Sequence, residues 1–322
     1  MSKGRIDFRK GLHEVGDGVW AYLQPDGSWG FSNAGLFAGK GTSLLVDTLF
    51  DLRLTREMLE EMAPITSSSP IDALVNTHAN GDHCWGNSLV PTRTEIYASV
   101  AAAREMEELP PAVLRQMLQA DLGPDVNEFA RKAFGQFRFD DVELRPPTKT
   151  FRQRLTLDVG GRKAELIDVG PAHTAGDVLV VLPDARVAFA GDILFIGGTP
   201  IIWAGPVGNW IAACDLLCEM DIDVIVPDHG PVTDAEGVRG MKRYLEFVRD
   251  ETRRRFDAGM SARDAAYDIE LGEYSEWGDS ERIVANVVAL YRELDPAHPA
   301  SSPLELFGEM ARYAKTRGRA AR

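Results

Sequence analysis

The sequence predicts an α/β fold made of two strand-and-helix halves, with a helical insertion between them and a helical extension at the end. Three observations carry this prediction. Residues 17–48 alternate as in a meander of short strands, strand patterns resume after residue 150 beyond a helical stretch at 99–147, and beyond Asp234 no strand pattern survives.

Each element follows in order. Gln24-Pro25-Asp26-Gly27 and Ala38-Gly39-Lys40-Gly41 are turns within the meander. Leu52 to Met62 has helical spacing and is expected to end at Pro64 and the Ser67-Ser68-Ser69-Pro70 linker. The apolar run Ile71 to Asn76 reads as a buried strand. Between Ser99 and Phe134, segments rich in Ala, Glu, Arg, Leu and Met are broken by Pro110-Pro111 and Gly123-Pro124, and Arg145-Pro146-Pro147-Thr148 closes the stretch. Residues 99–147 are therefore expected to form a helical insertion. Strands are expected at 151–159, 162–169, 178–182 and 187–190, then a helix over 209–220 and a short strand ending at Val226. Helices are expected near 235–258, 261–270, 279–294 and 302–316. The basic final stretch, Ala311 to Arg322, is expected to fray. The division that results is a catalytic core over 1–235, interrupted by 99–147, and a C-terminal helical extension over 236–322 packed on that core.

Composition narrows the function classes. With 44% hydrophobic and 26% charged residues the chain is an ordinary globular sequence, long enough for a large core. A net charge of −14 disfavours nucleic acid, which needs a basic face. No apolar run is long enough to span a bilayer, so no membrane partner is expected. The N-terminal Met1-Ser2-Lys3-Gly4-Arg5-Ile6-Asp7 has neither the apolar core nor the cleavage site of a secretion signal, and three cysteines argue against a disulfide framework. A cytoplasmic protein is the expectation, and a homodimer is compatible with it.

The chemistry concentrates at four strand-to-loop junctions. Thr77-His78-Ala79-Asn80-Gly81-Asp82-His83 places two imidazoles, a carboxylate and an amide in one loop, in a chain with only six histidines. Gly170-Pro171-Ala172-His173-Thr174-Ala175-Gly176-Asp177 follows the second strand pattern of the second half, Ala190-Gly191-Asp192 follows the fourth, and Pro227-Asp228-His229-Gly230 follows the last. Imidazole nitrogens and carboxylate oxygens are the donors that zinc takes in catalytic sites. The two histidines outside these loops, His13 ahead of the first strand and His298 between prolines, are expected at the surface. No G-x-S-x-G nucleophile elbow occurs.

Taken together, THANGDH, PAHTAGD, AGD and PDHG resemble the metallo-β-lactamase superfamily, whose pattern is H-x-H-x-D-H followed by a distant H, a bridging D and a final H. The resemblance covers roughly residues 15–235 and includes Asn33-Ala34-Gly35-Leu36 and Leu44-Leu45-Val46-Asp47-Thr48 among the N-terminal strands. One position departs: Asn80 stands where the family has its second histidine. The resemblance implies a four-layer αβ/βα sandwich. It implies one metal position at His78, Asn80 and His173, a second at Asp82, His83 and His229, and Asp192 bridging both. An amide ligates only through a neutral carbonyl oxygen, so the Asn80 position should be the weaker one. The expected cofactor is zinc, one ion or two, with iron or manganese as alternatives.

The implied activity is that of a metal-dependent hydrolase whose metal-bound hydroxide attacks an ester, thioester, lactone or amide bond of a small to medium, apolar or aromatic substrate. A bound divalent ion lowers the pKa of its water from 15.7 to roughly 7, and Asp82 would orient that nucleophile or take its proton. Two alternatives stand beside it: a single-iron oxidoreductase similar to persulfide dioxygenases, which keep the histidine replaced by Asn80, and a non-catalytic metal-binding regulatory member. β-Lactam hydrolysis itself is not implied, since fold and metal do not fix substrate. Asp47 is expected to brace the metal loop. Cys84 reads as a small buried thiol and the Cys214/Cys218 pair as helix packing. Trp29, Trp85, Phe195, Trp203 and Trp210 are expected to wall a substrate pocket, Trp29 from a hairpin that overhangs the site. Met106, Leu109, Leu114, Met117 and Leu118 of the insertion are expected to form a lid facing them, with packing onto the core or onto a second subunit as the alternative.

Overall fold

Two sheets stack face to face with helices outside each in the computed structural model, which describes residues 6–108 and 110–320. The first sheet contains, in spatial order, β1 (Gly11–Gly16), β2 (Val19–Leu23), β3 (Ala34–Gly39), β4 (Thr42–Val46), β5 (Ile71–Val75), β6 (Glu95–Ser99) and β7 (Lys149–Phe151). Pairing is antiparallel from β1 to β4 and parallel from β4 to β7. The second sheet is ordered β12 (Val224–Val226), β11 (Val187–Phe189), β10 (Val178–Leu182), β9 (Arg162–Asp168), β8 (Arg154–Val159), and only the β11–β12 pair is parallel.

The two-residue period of each strand builds the layers. On β2, Val19, Ala21 and Leu23 point into the seam between the sheets, while Tyr22 points outward; on β10, Val178, Val180 and Leu182 face the seam, and Leu179 and Val181 face the opposite way. Gly35 is required here. A Cβ on it would lie 2.2 Å from the ring of Phe189 on the facing strand, too close for any real contact. Outside the first sheet lie α1 (Leu52–Thr66), the single turn α2 (Gly81–Cys84), α3 (Val100–Glu105), α4 (Pro111–Gln119) and α5 (Pro124–Phe134). Outside the second lie α6 (Val207–Glu219), α7 (Ala235–Asp257), α8 (Ala262–Asp268), α9 (Ile283–Leu294) and α10 (Pro303–Ala320). The expected αβ/βα layering is what the chain adopts.

Three local expectations are corrected. The first strand begins at Gly11 and so includes His13, which pairs with Ala21; β1 is an edge strand whose bulge between Glu14 and Gly16 hides its alternation. Helix α1 runs through Pro64 to Thr66, because the proline falls in the last turn, where one lost amide donor leaves only the carbonyl of exposed Glu60 to water. The basic C-terminal stretch continues α10 to Ala320 instead of fraying: Met310, Ala311 and Tyr313 are buried, and Arg317 donates to the carbonyl oxygen of Ile269 at 3.1 Å. Its last two residues, Ala321 and Arg322, lie outside the described residues. His298 is half-buried, its ring edge-on to Tyr291 at 5.5 Å. Among the described residues no helix is long and apolar enough to cross a membrane.

Candidate metal centre and cavity

The four motif loops leave the strands at one edge of the sandwich. Asp47 and the His78 loop follow the parallel strands β4 and β5, Asp192 and His229 follow the parallel pair β11 and β12, and His173 lies between β9 and β10. Carboxyl ends of parallel strands are where open α/β sheets place their ligands. The turn into Asp192 needs Gly191, whose φ of 58° lies in the left-handed region.

Asp192 is the centre of the constellation. Its Oδ2 lies 3.6 Å from His78 Nε2 and 3.1 Å from His173 Nε2, and its Oδ1 lies 3.5 Å from His83 Nε2 and 3.4 Å from His229 Nε2. One carboxylate therefore faces two pairs of imidazoles, one oxygen to each. Asp82 completes the second pair, Oδ1 lying 3.5 Å from His83 Nε2 and Oδ2 3.5 Å from His229 Nε2. Asn80 completes the first: its Nδ2 lies 3.2 Å from His173 Nε2, and a half-turn of the amide presents Oδ1 to the same point.

The far nitrogen of each ring fixes its direction. His173 Nδ1 donates to the carbonyl oxygen of Ile201 at 2.7 Å and His229 Nδ1 to that of Gly27 at 2.9 Å. A carbonyl can only accept, so in the neutral ring each Nε2 carries its lone pair toward Asp192. His83 Nδ1 lies 3.1 Å from Asp228 Oδ2 and 3.3 Å from Asp47 Oδ2. Asp47, at φ 61°, also accepts from the Thr77 backbone N–H at 2.7 Å and from its hydroxyl at 2.6 Å, so it braces the loop as expected. Asp228 performs the same task from the other sheet, taking a hydrogen bond from the Thr77 hydroxyl at 3.2 Å. Although Asp228 lies close enough to His78, His83 and Asp192 to be counted with a metal cluster, it meets His83 through Nδ1, behind the ring. We place it in support.

The electrostatics favour a cation. Burial works against charge on His83 and His173, yet Asp82 and Asp192 hold His83 well above the usual imidazole range, and Asp192 raises His173. Burial likewise opposes ionisation of Asp82 and Asp192, but the surrounding imidazoles hold both well below the usual carboxylate range. His78 is lowered by burial and by the neighbouring His83. His78 Nε2, His83 Nε2 and Asp192 Oδ1 are buried with no hydrogen-bond partner among the described residues. Orphaned donor atoms of these types, converging from two sides of one carboxylate, fit divalent metal ions with imidazole and carboxylate ligands. Asp82, His83 and His229 also form a compact potential metal-binding set.

The cluster floors a cavity of about 510 Å³. Trp29, Trp85, Phe195 and Trp203 line it, as do Leu114 and Met117 of α4. Phe195 stacks on His229 with centroids 4.9 Å apart, so this wall is continuous with the candidate metal centre. Trp210 is a correction. It is fully buried, its indole N–H donates to the carbonyl oxygen of Ile193 at 2.9 Å, and its ring meets His173 edge-on at 5.6 Å, so it backs the histidine instead of lining the cavity. Met106 and Leu118 also leave the lid: both pack among the side chains on the α1 face of the first sheet. Leu109 lies outside the described residues. Cys84 is buried, its thiol donating to the carbonyl oxygens of Ala79 and Asn80.

Sequence reasoning missed several contributors. Asp177 accepts from the backbone N–H groups of Ala172 and Thr174 and from the Thr174 hydroxyl, and so shapes the His173 loop; burial pushes its carboxyl up to about 6. It stands in the PAHTAGD motif, as Asp228 stands in PDHG, and proximity to a ligand was the available signal. Phe50, Phe134 and Phe307 line the cavity from three separate helical or loop regions, and no local pattern marks them.

Residues 27–229 match the family model of the metallo-beta-lactamase superfamily, and the chain belongs to that superfamily. It is 26% identical over 257 residues to a linear primary-alkylsulfatase of Pseudomonas sp. (strain ATCC 19151), covering 71% of this chain and 48% of the relative. It is 25% identical over 222 residues to the 2,4-dinitroanisole O-demethylase subunit alpha of Nocardioides sp. (strain JS1661), covering 67% and 54%. The chain thus spans about half the length of these curated relatives. The stereoselective inverting sec-alkylsulfatase Pisa1 from Pseudomonas sp. shares the fold, with a TM-score of 0.69 at 16% identity over 91% of this chain and 52% of that one.

Proposed function

We propose that the protein is a metal-dependent hydrolase that cleaves an ester-type bond in a substrate with a sizeable apolar or aromatic part. The single observation that carries this reading is the position of the imidazole–carboxylate cluster at the floor of an aromatic-lined cavity. Asp82, His83, Asp192 and His229 would hold the dominant metal, zinc in the first instance, and His78, His173 and Asn80 a weaker one. Bound there, a divalent ion supplies a Lewis acid and a water acidified to near neutral pH. Asp82 faces the cavity and would orient the attacking water and take its proton. Phe195, Trp203 and Trp85 exclude bulk water and receive the apolar portion of the substrate. Residues 1–235 would constitute the catalytic core with 99–147 inserted, and 236–322 the extension packed on it.

The two curated relatives support a substrate of this shape, one acting on linear primary alkyl sulfates and the other on dinitroanisole. Sulfate esters therefore join carboxylic esters, thioesters, lactones and amides among the bonds to be tried. The test is metal content of the purified protein, followed by a panel of these bonds carrying alkyl and aryl groups. Turnover that is abolished by chelation and restored by zinc is expected. A protein that binds no divalent metal, or whose turnover survives full metal removal, overturns the reading.

A further inference from the structure

Part of the cavity wall is held from outside the family-matched region. Trp29 sits on the loop between β2 and β3, half-buried, with its ring on the cavity. Its indole N–H donates to Glu281 Oε1 at 3.0 Å, and the Arg282 guanidinium carbon lies 4.2 Å from its ring centroid. The preceding Ser28 hydroxyl donates to Asp279 Oδ1 at 2.7 Å. The same short segment grips the loop that follows Asp192: Arg282 Nη1 donates to the carbonyl oxygen of Thr199 at 2.9 Å, and the Thr199 N–H donates to that of Gly278 at 2.8 Å. Arg282 is only 2% exposed, pairs with Asp279 at 3.0 Å, and also lies 5.5 Å from the Phe195 ring.

Filling space does not explain this choice of residues. Burying a guanidinium is costly until its partners compensate, and its Nε has no hydrogen-bond partner among the described residues. An apolar side chain would pack there without that penalty. What the Glu281–Arg282 pair adds is direction: one acceptor fixes the indole edge and one planar cation fixes its face.

We propose that Glu281 and Arg282 are positioning residues that set substrate selectivity by holding Trp29 as a fixed wall of the cavity. The proposal rests on the hydrolase reading for its kinetic consequence, but its structural consequence is independent of that reading. Glu281→Ala removes the acceptor, Glu281→Gln keeps one, and Trp29→Phe removes the donor while keeping an aromatic ring. Hydrogen exchange of the 27–33 loop, which contains the Phe31 N–H bonded to the Ser28 carbonyl, reads the clamp directly. Steady-state kinetics on a bulky apolar substrate and a small one with the same scissile bond read selectivity.

Glu281→Ala and Trp29→Phe should each speed exchange in this loop several-fold. Each should raise KM for the bulky substrate about three- to tenfold, the loss of one part-buried hydrogen bond. Glu281→Ala should leave kcat for the small substrate and metal content as in the unmodified protein, and Glu281→Gln should restore both readouts. Unchanged exchange in both loss variants overturns the clamp, as does a selectivity change that merely follows lost metal. If no substrate is turned over, the hydrolase reading fails and exchange alone decides the clamp.

Discussion

Asp192→Asn is the substitution that interrogates the centre most directly. It keeps shape and volume but removes a charge that faces all four imidazoles, at distances between 3.1 and 3.6 Å. A unit charge about 4 Å from another is worth roughly 4 kcal/mol at an effective dielectric near 20, close to a thousandfold in affinity. The amide also turns an NH2 group toward one imidazole pair, so at least one of the two positions gains a donor where it needs an acceptor. Titration of the metal-free variant with zinc, read by calorimetry, should therefore show affinity lowered by two to three decades at the tighter position, with the stoichiometry reduced. Circular dichroism of the metal-free forms should match, since the substitution is isosteric. Zinc bound with unchanged affinity and stoichiometry would refute the assignment of Asp192 as the shared group, and with it the arrangement built around that residue.

Other outcomes can be stated briefly. Asn80→His should tighten a second equivalent of zinc, whereas two equally tight sites in the native protein would count against the weaker role given to Asn80. Asp228→Asn should lower metal affinity about 10- to 100-fold, the usual effect of loosening a group that orients a metal-binding histidine; an unchanged value would show that Asp47 alone suffices. Trp203→Ala and Met117→Ala should alter preference between bulky and small substrates at constant metal content, while lost stability without altered preference would make those walls scaffold. Chelation should lower the melting temperature, because metal present at 100 times its Kd adds about 2.7 kcal/mol to the folded state.

Much of this architecture was legible in the chain. Strand periods, the Pro-Pro and Gly-Pro breaks of the 99–147 stretch and the four motif loops are local signals, and the order of those loops pointed to the fold. The features that escaped are those where distant segments meet. Trp210 follows Asp192 in sequence much as Trp203 does, yet helix α6 turns it inward to back His173. Asp228 was visible beside His229, but its task on the far nitrogen of His83 exists only once the sheets are stacked. The contact of Glu281 with Trp29 spans 252 residues and leaves no trace in either neighbourhood. Alternation and spacing report what a segment does with its own neighbours; the cavity is made by segments that are strangers in sequence.

The division of the cluster between the sheets has a consequence for how the molecule matures. His78, Asn80, Asp82 and His83 come from the first sheet's edge, and His173, Asp192 and His229 from the second's. If these residues are the ligands, neither half would carry a complete coordination set, and tight loading would require the halves to dock with Asp192 between them. On that assignment metal uptake would report assembly, and a firmly held ion would tie the two sheets together across their seam.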